Sequence, residues 1–253
     1  MHCTADNIAV IILAAGLGTR MHSNKAKVLH EILGKPMVLY VIETAQKVAR
    51  GDIIVVIGTQ GDKVREAVSK RENRLIFAYQ DQQLGTGHAV LCALPHLSDH
   101  VGAVVILCGD VPLITAETVL KLIDSHVNNS RDITVLAVKM DDPTGYGRIL
   151  TDQHGQVRGI VEEVDATEEQ KKINTINTGI YCVNSRILAD LLQKISPDNT
   201  QSEIYLTDIV ALGYKANKSV GVFTGGNLTE FYGINNRQDL SKVQTLMRKR
   251  LGE

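Results

Sequence analysis

The 253-residue sequence predicts an α/β protein built on a doubly wound, mostly parallel sheet. Three observations predict it. Apolar runs of strand length recur along the first half of the chain. Segments with one apolar helical face lie between them. A glycine-rich turn follows the first run directly. Strands that read as continuous Val, Ile and Leu are those buried on both faces, as parallel strands flanked by helices are. Strand alternating with helix implies right-handed βαβ units.

The expected strands are Ile8–Leu13, Ile53–Ile57, Leu75–Ala78, Ala103–Leu107 and Ile133–Val138. Between them, Pro36–Val48 places Val38, Val41, Ile42, Ala45 and Val48 on one helical face, with Pro36 suited to a first turn. Asp62–Lys70, Thr86–Leu94 and Ala116–Val127 read as helices too. Beyond residue 140 the rhythm changes. Gly147–Thr151 and Gln156–Val161 flank Asp152–Gly155 as a hairpin. Asp165–Lys172 reads as an exposed helix or loop, Thr175–Val183 as a strand, Ser185–Lys194 and Tyr205–Lys215 as helices, Val220–Thr224 as a strand and Arg237–Arg250 as an amphipathic helix. No linker or repeat interrupts the chain, so one domain is expected: a nucleotide-binding part over 1–140, a second part over 141–235 and a terminal helix over 236–253.

Composition narrows the function. With 44% hydrophobic and 22% charged residues the chain reads as soluble and globular. A formal net charge of −1, three phenylalanines and no tryptophan disfavour a nucleic-acid-binding module, and an anionic substrate must be met by local positive charge. No run approaches the ~20 apolar residues of a membrane span, and no secretory signal pattern opens the chain, so a cytoplasmic location is expected. Cys3, Cys92, Cys108 and Cys182 form no CxxC pair and have no His at ligand spacing. They read as reduced thiols, Cys92 and Cys108 as buried structural ones.

The sharpest local signal is Leu13-Ala14-Ala15-Gly16-Leu17-Gly18-Thr19-Arg20-Met21, with Lys25 and Lys27 following. Small residues let a backbone approach a ligand, and its N–H groups with a nearby cation can cradle phosphates. The run is neither a P-loop, which needs GxxxxGK[ST], nor a dinucleotide fingerprint, because Met21 stands where the third glycine belongs. Taken alone it also fits a tight strand-to-helix turn. Asp110, in Cys108-Gly109-Asp110-Val111-Pro112, lies just past a buried strand, where ligands of open parallel sheets bind. It suits Mg²⁺, which takes one or two protein oxygens beside phosphate and water. It suits a turn or helix-cap aspartate equally well.

Polar groups follow downstream. Gln80 and Gln83-Leu84-Gly85-Thr86-Gly87-His88-Ala89 offer amide and backbone groups for a base edge, or a helix start capped by Thr86. His88 reads as a surface or satisfied core histidine. Gly147, Glu162, Asn177, Tyr205 and Thr207 stand in or beside apolar runs and could serve a hydroxyl-rich sugar. Asn235-Asn236-Arg237 reads locally as an N-cap.

Together these segments resemble the sugar-nucleotide pyrophosphorylases, most closely the N-acetylglucosamine-1-phosphate uridyltransferase domain of the bifunctional bacterial enzyme. The matching runs are LAAGLGTRM (13–21), KVL (27–29), QLGTGHA (83–89), GDVPL (109–113), DDPTGYGRI (141–149), GIVEE (159–163), INTGIY (176–181), YLTDI (205–209) and GINNR (233–237), in family order across nearly the whole chain. The resemblance implies a Rossmann-like nucleotide-diphospho-sugar transferase fold with an added β-rich sugar-binding lobe. It implies Leu13, Ala14, Ala15, Gly16, Gln80, Gly85 and Thr86 at uridine, and Arg20 and Lys27 as the catalytic cations on the triphosphate. It implies Mg²⁺ on Asp110 and Asn235. It implies Gly109, Gly147, Glu162, Asn177, Tyr205 and Thr207 around N-acetylglucosamine. Ala26 stands where the family usually has proline, Cys108 where an aromatic is common, Val164 where lysine is frequent, and Ser202 and Ile204 interrupt a Gly-Glu-Tyr-Tyr run.

The implied reaction is in-line attack of N-acetylglucosamine 1-phosphate on the α-phosphorus of UTP, which needs positioning and charge stabilisation rather than a general base. The bifunctional relatives also carry hexapeptide repeats for acetyltransfer. None occurs in these 253 residues, so acetyltransfer is not expected. Two other readings stay open: the same fold serving another sugar 1-phosphate or nucleotide, or an inactive nucleotide-sugar-binding regulator. The sequence sets no oligomeric state.

Overall fold

The computed structural model describes residues 7–70 and 75–252; Cys3 lies outside them. Their elements run β1 (Ile8–Leu13), β2 (Glu31–Ile32), β3 (Lys35–Pro36), α1 (Met37–Val48), β4 (Ile53–Ile57), α2 (Gly61–Ser69), β5 (Ile76–Tyr79), α3 (Thr86–Ala93), β6 (Ala103–Cys108), α4 (Ala116–Asn128), β7 (Ile133–Lys139), β8 (Arg148–Thr151), β9 (Val157–Val161), α5 (Glu168–Lys171), β10 (Thr175–Asn184), α6 (Ser185–Leu192), α7 (Asp208–Lys215), β11 (Val220–Thr224) and α8 (Arg237–Leu251). The strands expected at 8–13, 53–57 and 220–224 form with those bounds.

The main sheet has the order β11-β7-β10-β6-β1-β4-β5, with β8 and β9 attached to β10. β1 is parallel to both β4 and β6, β4 to β5, and β7 to β11. The chain moves outward through β1, β4 and β5, then returns to place β6 on the other side of β1. That reversal opens a crevice at the carboxyl ends of β1 and β6. β10 enters between β6 and β7 and runs antiparallel to both. The mixed α/β fold, with a largely parallel centre, is that of the Rossmann-like nucleotide-diphospho-sugar transferases.

The continuous apolar runs are explained by a core on each face. Val10, Ile12, Val55, Val105 and Leu107 pack with α1, α4 and α8, whereas Ala9, Ile11, Ile54, Val56, Val104 and Ile106 pack with α3, α6 and α7. With alternate residues turned to opposite layers, neither face can be polar.

Several local expectations are corrected. Pro36 ends β3 and caps α1 from outside instead of occupying its first turn. α7 starts at Asp208, three residues later than the apolar pattern suggests, which leaves Tyr205–Thr207 in a turn. The glycine loop leads only into a single 3₁₀ turn, Thr19–Met21, so a strand-to-helix turn does not form there. Cys108 and Cys92 are half-buried, and among the described cysteines only Cys182 is fully buried.

Candidate active site

The site grows from the ends of β1 and β6. Gly109 N donates to Leu13 O (2.9 Å) and Ala14 N to Val56 O (2.9 Å), so the two turns leave the sheet tied together. Gly18 adopts φ +64°, and a Cβ there would lie 2.5 Å from Lys27 Cβ. Glycine therefore lets the loop fold onto the segment that carries Lys27.

Lys27 Nζ lies 2.5 Å from Asp110 Oδ2 and 3.2 Å from Asn235 Oδ1, while Arg20 Nη2 donates to the same Asn235 oxygen at 3.1 Å. Residues 208 and 215 positions apart in sequence thus meet at one point. Two backbone devices bring Asn235 there. Ile234 N donates to Asp110 O (2.9 Å), and Asp239 Oδ2 accepts from Asn235 N (2.8 Å). The cap of α8 is Asn236, whose side chain accepts from Gln238 N and Asp239 N. Asn235 is therefore relieved of the capping duty that a local reading gives the pair, and its carboxamide is available to the cleft.

Two cavities meet here. A pocket of about 270 Å³ is lined by Leu13, Ala15, Gly16, Lys27, Gln80, Gln83, Gly85, Thr86 and Asp110, among others. Gln80 Nε2 bonds Gly85 O (3.0 Å) and His88 Nδ1 (3.1 Å), so His88 is a satisfied histidine that fixes a pocket glutamine. Gln83 Nε2 donates to Ala15 O (2.7 Å), joining the glycine loop to the opposite wall. Gly85 sits at φ +106°, and a Cβ would meet Ile204 O at 2.6 Å. Thr86 does not cap α3. That cap is Gly85, and the Thr86 hydroxyl accepts from Leu206 N at 3.0 Å. Ala15 and Gly16 also line a small recess against Gly58 and Gln60, and Ala14, expected at uridine, lines that recess but not the pocket.

The second cavity, a cleft of about 870 Å³, shares Leu13, Thr86, Cys108 and Asp110 with the first and runs past Arg20 and Asn235 to Gly147, Glu162, Asn177 and Thr207. Burial pushes the Glu162 carboxyl above its ordinary range; the Thr207 hydroxyl hydrogen-bonded to it pulls the other way, and Asp165 and Asp208 add to the rise. Asn177 N donates to Gly147 O (2.8 Å), and its side-chain oxygen accepts from Gly179 N (2.9 Å). At the junction, burial pushes the Cys108 thiol up to about 12, with Asp110 adding to it; the thiol donates to Gly179 O at 3.4 Å. It is a neutral spacer at neutral pH, not a nucleophile.

Two of the sugar residues expected from sequence do not line either cavity. Gly109 is buried in the turn that ties β6 to β1. Tyr205 points its hydroxyl at Gln201 Oε1 (3.0 Å), and burial, with Asp165 next, pushes it up to about 12. Conversely, Tyr146, Tyr232 and Lys242 line the cleft, with Lys242 Nζ 3.6 Å from the Tyr232 ring centroid. Tyr146 lies beside Gly147 in the PTGYG turn, the signal that could have found it, but only Gly147 was taken from that turn. Lys242 carries no local signal, because on an amphipathic helix it reads as one more solvated lysine.

A model of the MobA-like NTP transferase domain matches residues 10–173. Proteins named "Bifunctional protein GlmU" are similar along nearly the whole chain. That of Clostridioides difficile is 42% identical over 247 residues, which cover 98% of this chain and 53% of the relative. That of Caldanaerobacter subterraneus is 44% identical over 248 residues, covering 98% and 53%. That of Geotalea daltonii is 42% identical over 246 residues, covering 97% and 54%. The chain spans about half the length of these curated relatives. With the crevice, the glycine loop and the matched domain in agreement, the chain belongs to the MobA-like NTP transferase family.

Proposed function

We propose that the protein is a uridyltransferase that joins UTP to N-acetylglucosamine 1-phosphate, forming UDP-N-acetylglucosamine and pyrophosphate, a precursor of cell-wall polymers. The observation that carries the reading is the meeting of the two cavities at Lys27, Asp110, Asn235 and Arg20. The smaller pocket, lined mainly by residues of the first half of the chain with Glu203 from the second, takes the nucleotide, and the far end of the cleft, at Gly147, Glu162, Asn177 and Thr207, takes the sugar. UTP is an intracellular metabolite, so this reaction runs in the cytoplasm.

The sugar phosphate is already an anion near neutral pH, so the chain's task is to bring anions together. Arg20 and Lys27 would hold the triphosphate and the charge that develops toward pyrophosphate. Gln80, Gly85 and Thr86 would orient the base, and Glu162, Asn177 and Thr207 the sugar hydroxyls and amide.

Among the described residues no three His, Cys, Asp or Glu side chains gather as a metal site. Asp110 and Asn235 nevertheless suit Mg²⁺, because both side-chain oxygens already face one cation, the Lys27 ammonium. Two protein oxygens completed by phosphate and water is the usual Mg²⁺ arrangement. When bound, the ion supplies neutralisation of the phosphate charge. Lys27, which here bonds the Asp110 and Asn235 oxygens, would with that charge met be free to turn to phosphate oxygens.

Pyrophosphate release tests the reading, with N-acetylglucosamine 1-phosphate and glucose 1-phosphate in parallel, each with Mg²⁺ and with EDTA. Metal-dependent release favouring the acetylated sugar is expected. Preference for glucose 1-phosphate would move the substrate, and release undiminished by EDTA would remove the metal.

A further inference from the structure

We propose that Arg148 and Glu163 form a positioning pair that sets the geometry of the sugar end of the cleft, a role that rests on the uridyltransferase reading above. Arg148 is 1% exposed and among the largest fully buried side chains. Its Nη2 lies 2.7 Å from Glu163 Oε2. The same guanidinium donates to Tyr146 O through Nη1 and to Lys171 O (3.4 Å) through Nη2. Glu163 Oε2 in turn accepts from Gly145 N at 3.2 Å. One ion pair therefore holds the 145–147 turn, the segment just past β9 and the end of α5.

These are the segments that carry the sugar-facing groups. Gly147 immediately precedes Arg148, and its carbonyl receives Asn177 N. Glu162 immediately precedes Glu163, and a Cβ on Gly147 would lie 3.2 Å from Glu162 Oε2. The carboxylate therefore stands against the turn at a position that only glycine leaves open. The two adjacent glutamates have opposite environments. Glu162 lines the cleft with its carboxyl raised by burial, whereas the hydrogen bond from Arg148 holds Glu163 below the usual range. Neither Arg148 nor Glu163 lines the cleft.

Stability is a weak reason for a guanidinium at this depth, even with its carboxylate partner partly exposed. A buried ion pair can often be replaced by apolar side chains of similar volume without loss of stability. What such a replacement cannot supply is a planar fork that addresses a carboxylate and two carbonyls at once.

The test is steady-state kinetics of the full chain carrying Arg148→Met, Arg148→Lys or Glu163→Gln, with KM measured separately for each substrate. Arg148→Met and Glu163→Gln are expected to raise KM for the sugar 1-phosphate about tenfold or more while KM for UTP stays within about twofold. Arg148→Lys should fall between them and the wild type, because it keeps the charge but not the fork. If Arg148→Met fails to melt cooperatively, Glu163→Gln carries the test, since Glu163 is partly exposed. Equal rises in both KM values, or no rise in folded variants of an active enzyme, overturn the pair alone. A wild type that turns over no sugar 1-phosphate overturns the functional reading and the pair with it.

Discussion

At the end of the cleft that we assign to phosphate, Asp110 leaves the carboxyl end of β6, Arg20 and Lys27 lie on the segment that follows its parallel neighbour β1, and Asn235 is brought beside them by the backbone bond from Ile234 N to Asp110 O. At the end that we assign to the sugar, the groups stand on an antiparallel strand, β10, on either side of the hairpin β8–β9 and on the turn before α7, and side chains cross between these segments. The first end is organised by backbone and topology. The second is organised by non-local polar contacts around half-buried carboxylates. Phosphates are alike in every nucleotide, so in the proposed reaction a rigid strand-end cradle would serve them. A sugar must be told from its isomers, and that needs individually placed donors and acceptors.

The comparison breaks most readily at Asp110. In this reading, Asp110→Ala removes the carboxylate shared by the metal and Lys27, and turnover should fall about 10³-fold or more. The side chain is 20% exposed and its loss leaves Lys27 with Asn235, so the variant should keep its circular dichroism spectrum and a melting temperature near that of the wild type. Metal-dependent pyrophosphate release close to normal would remove Asp110 from the phosphate end.

Lys27→Met separates two roles of one side chain. Loss of a cation on the triphosphate should lower kcat by roughly 10²–10³-fold. Yet Lys27 also occupies the space between the two candidate metal oxygens, so the variant should bind Mn²⁺ more tightly than the wild type when no nucleotide is present, as read by electron paramagnetic resonance titration. Weaker Mn²⁺ binding in Lys27→Met would mean that the lysine does not compete for those oxygens.

The same contrast explains what could be read from residue order. Strand placement was legible because burial on both faces leaves no polar residue to interrupt Ile8–Leu13 or Ile53–Ile57. The position of Asp110 was legible because it needs only the end of β6. Asn235 was set apart only by the resemblance, because its neighbour Asn236 has the same chemistry and the contact of Ile234 with Asp110, which decides which of them caps α8, joins distant segments. The cap reading of Thr86 stayed open in the sequence for the reason that its true partner, Leu206 N, is 120 residues away. The inverted direction of β10 and the Arg148–Glu163 pair are likewise absent from any local window. Both come from pairing between distant segments.

At the sugar end, Glu162→Gln sharpens the comparison through pH. Burial raises the folded carboxyl above its ordinary 4.5. A raised acid adds stability that is fully present below the unfolded value and is lost as pH rises through the folded one. The wild type should therefore lose stability relative to Glu162→Gln as pH climbs from about 4.5 toward neutrality, measured by urea unfolding at several pH values. In the same variant, KM for the sugar 1-phosphate should rise about tenfold while KM for UTP changes little. A stability difference that does not vary with pH would show that the carboxyl is not raised by burial.

The smallest effect lies beside the phosphate end, at Ala26. Its backbone sits at φ −52° and ψ 136°, its carbonyl accepts from Leu29 N, and among the described residues its own N–H donates to no partner. Proline fixes φ near −65° and lacks that N–H, so no backbone hydrogen bond is lost at residue 26 by Ala26→Pro, although its ring must fit beside a buried site. The unfolded chain is restricted instead, and the folded state should gain about 0.4–1 kcal/mol, read as an increased urea midpoint at constant slope. If the cradle owes its shape to backbone geometry, stiffening the residue before Lys27 should leave KM for UTP the same or lower. A destabilised variant would place the fault at Lys25, whose backbone proline restricts as well. The lysine's approach to Asp110 would then depend on a looser segment than the strand ends provide.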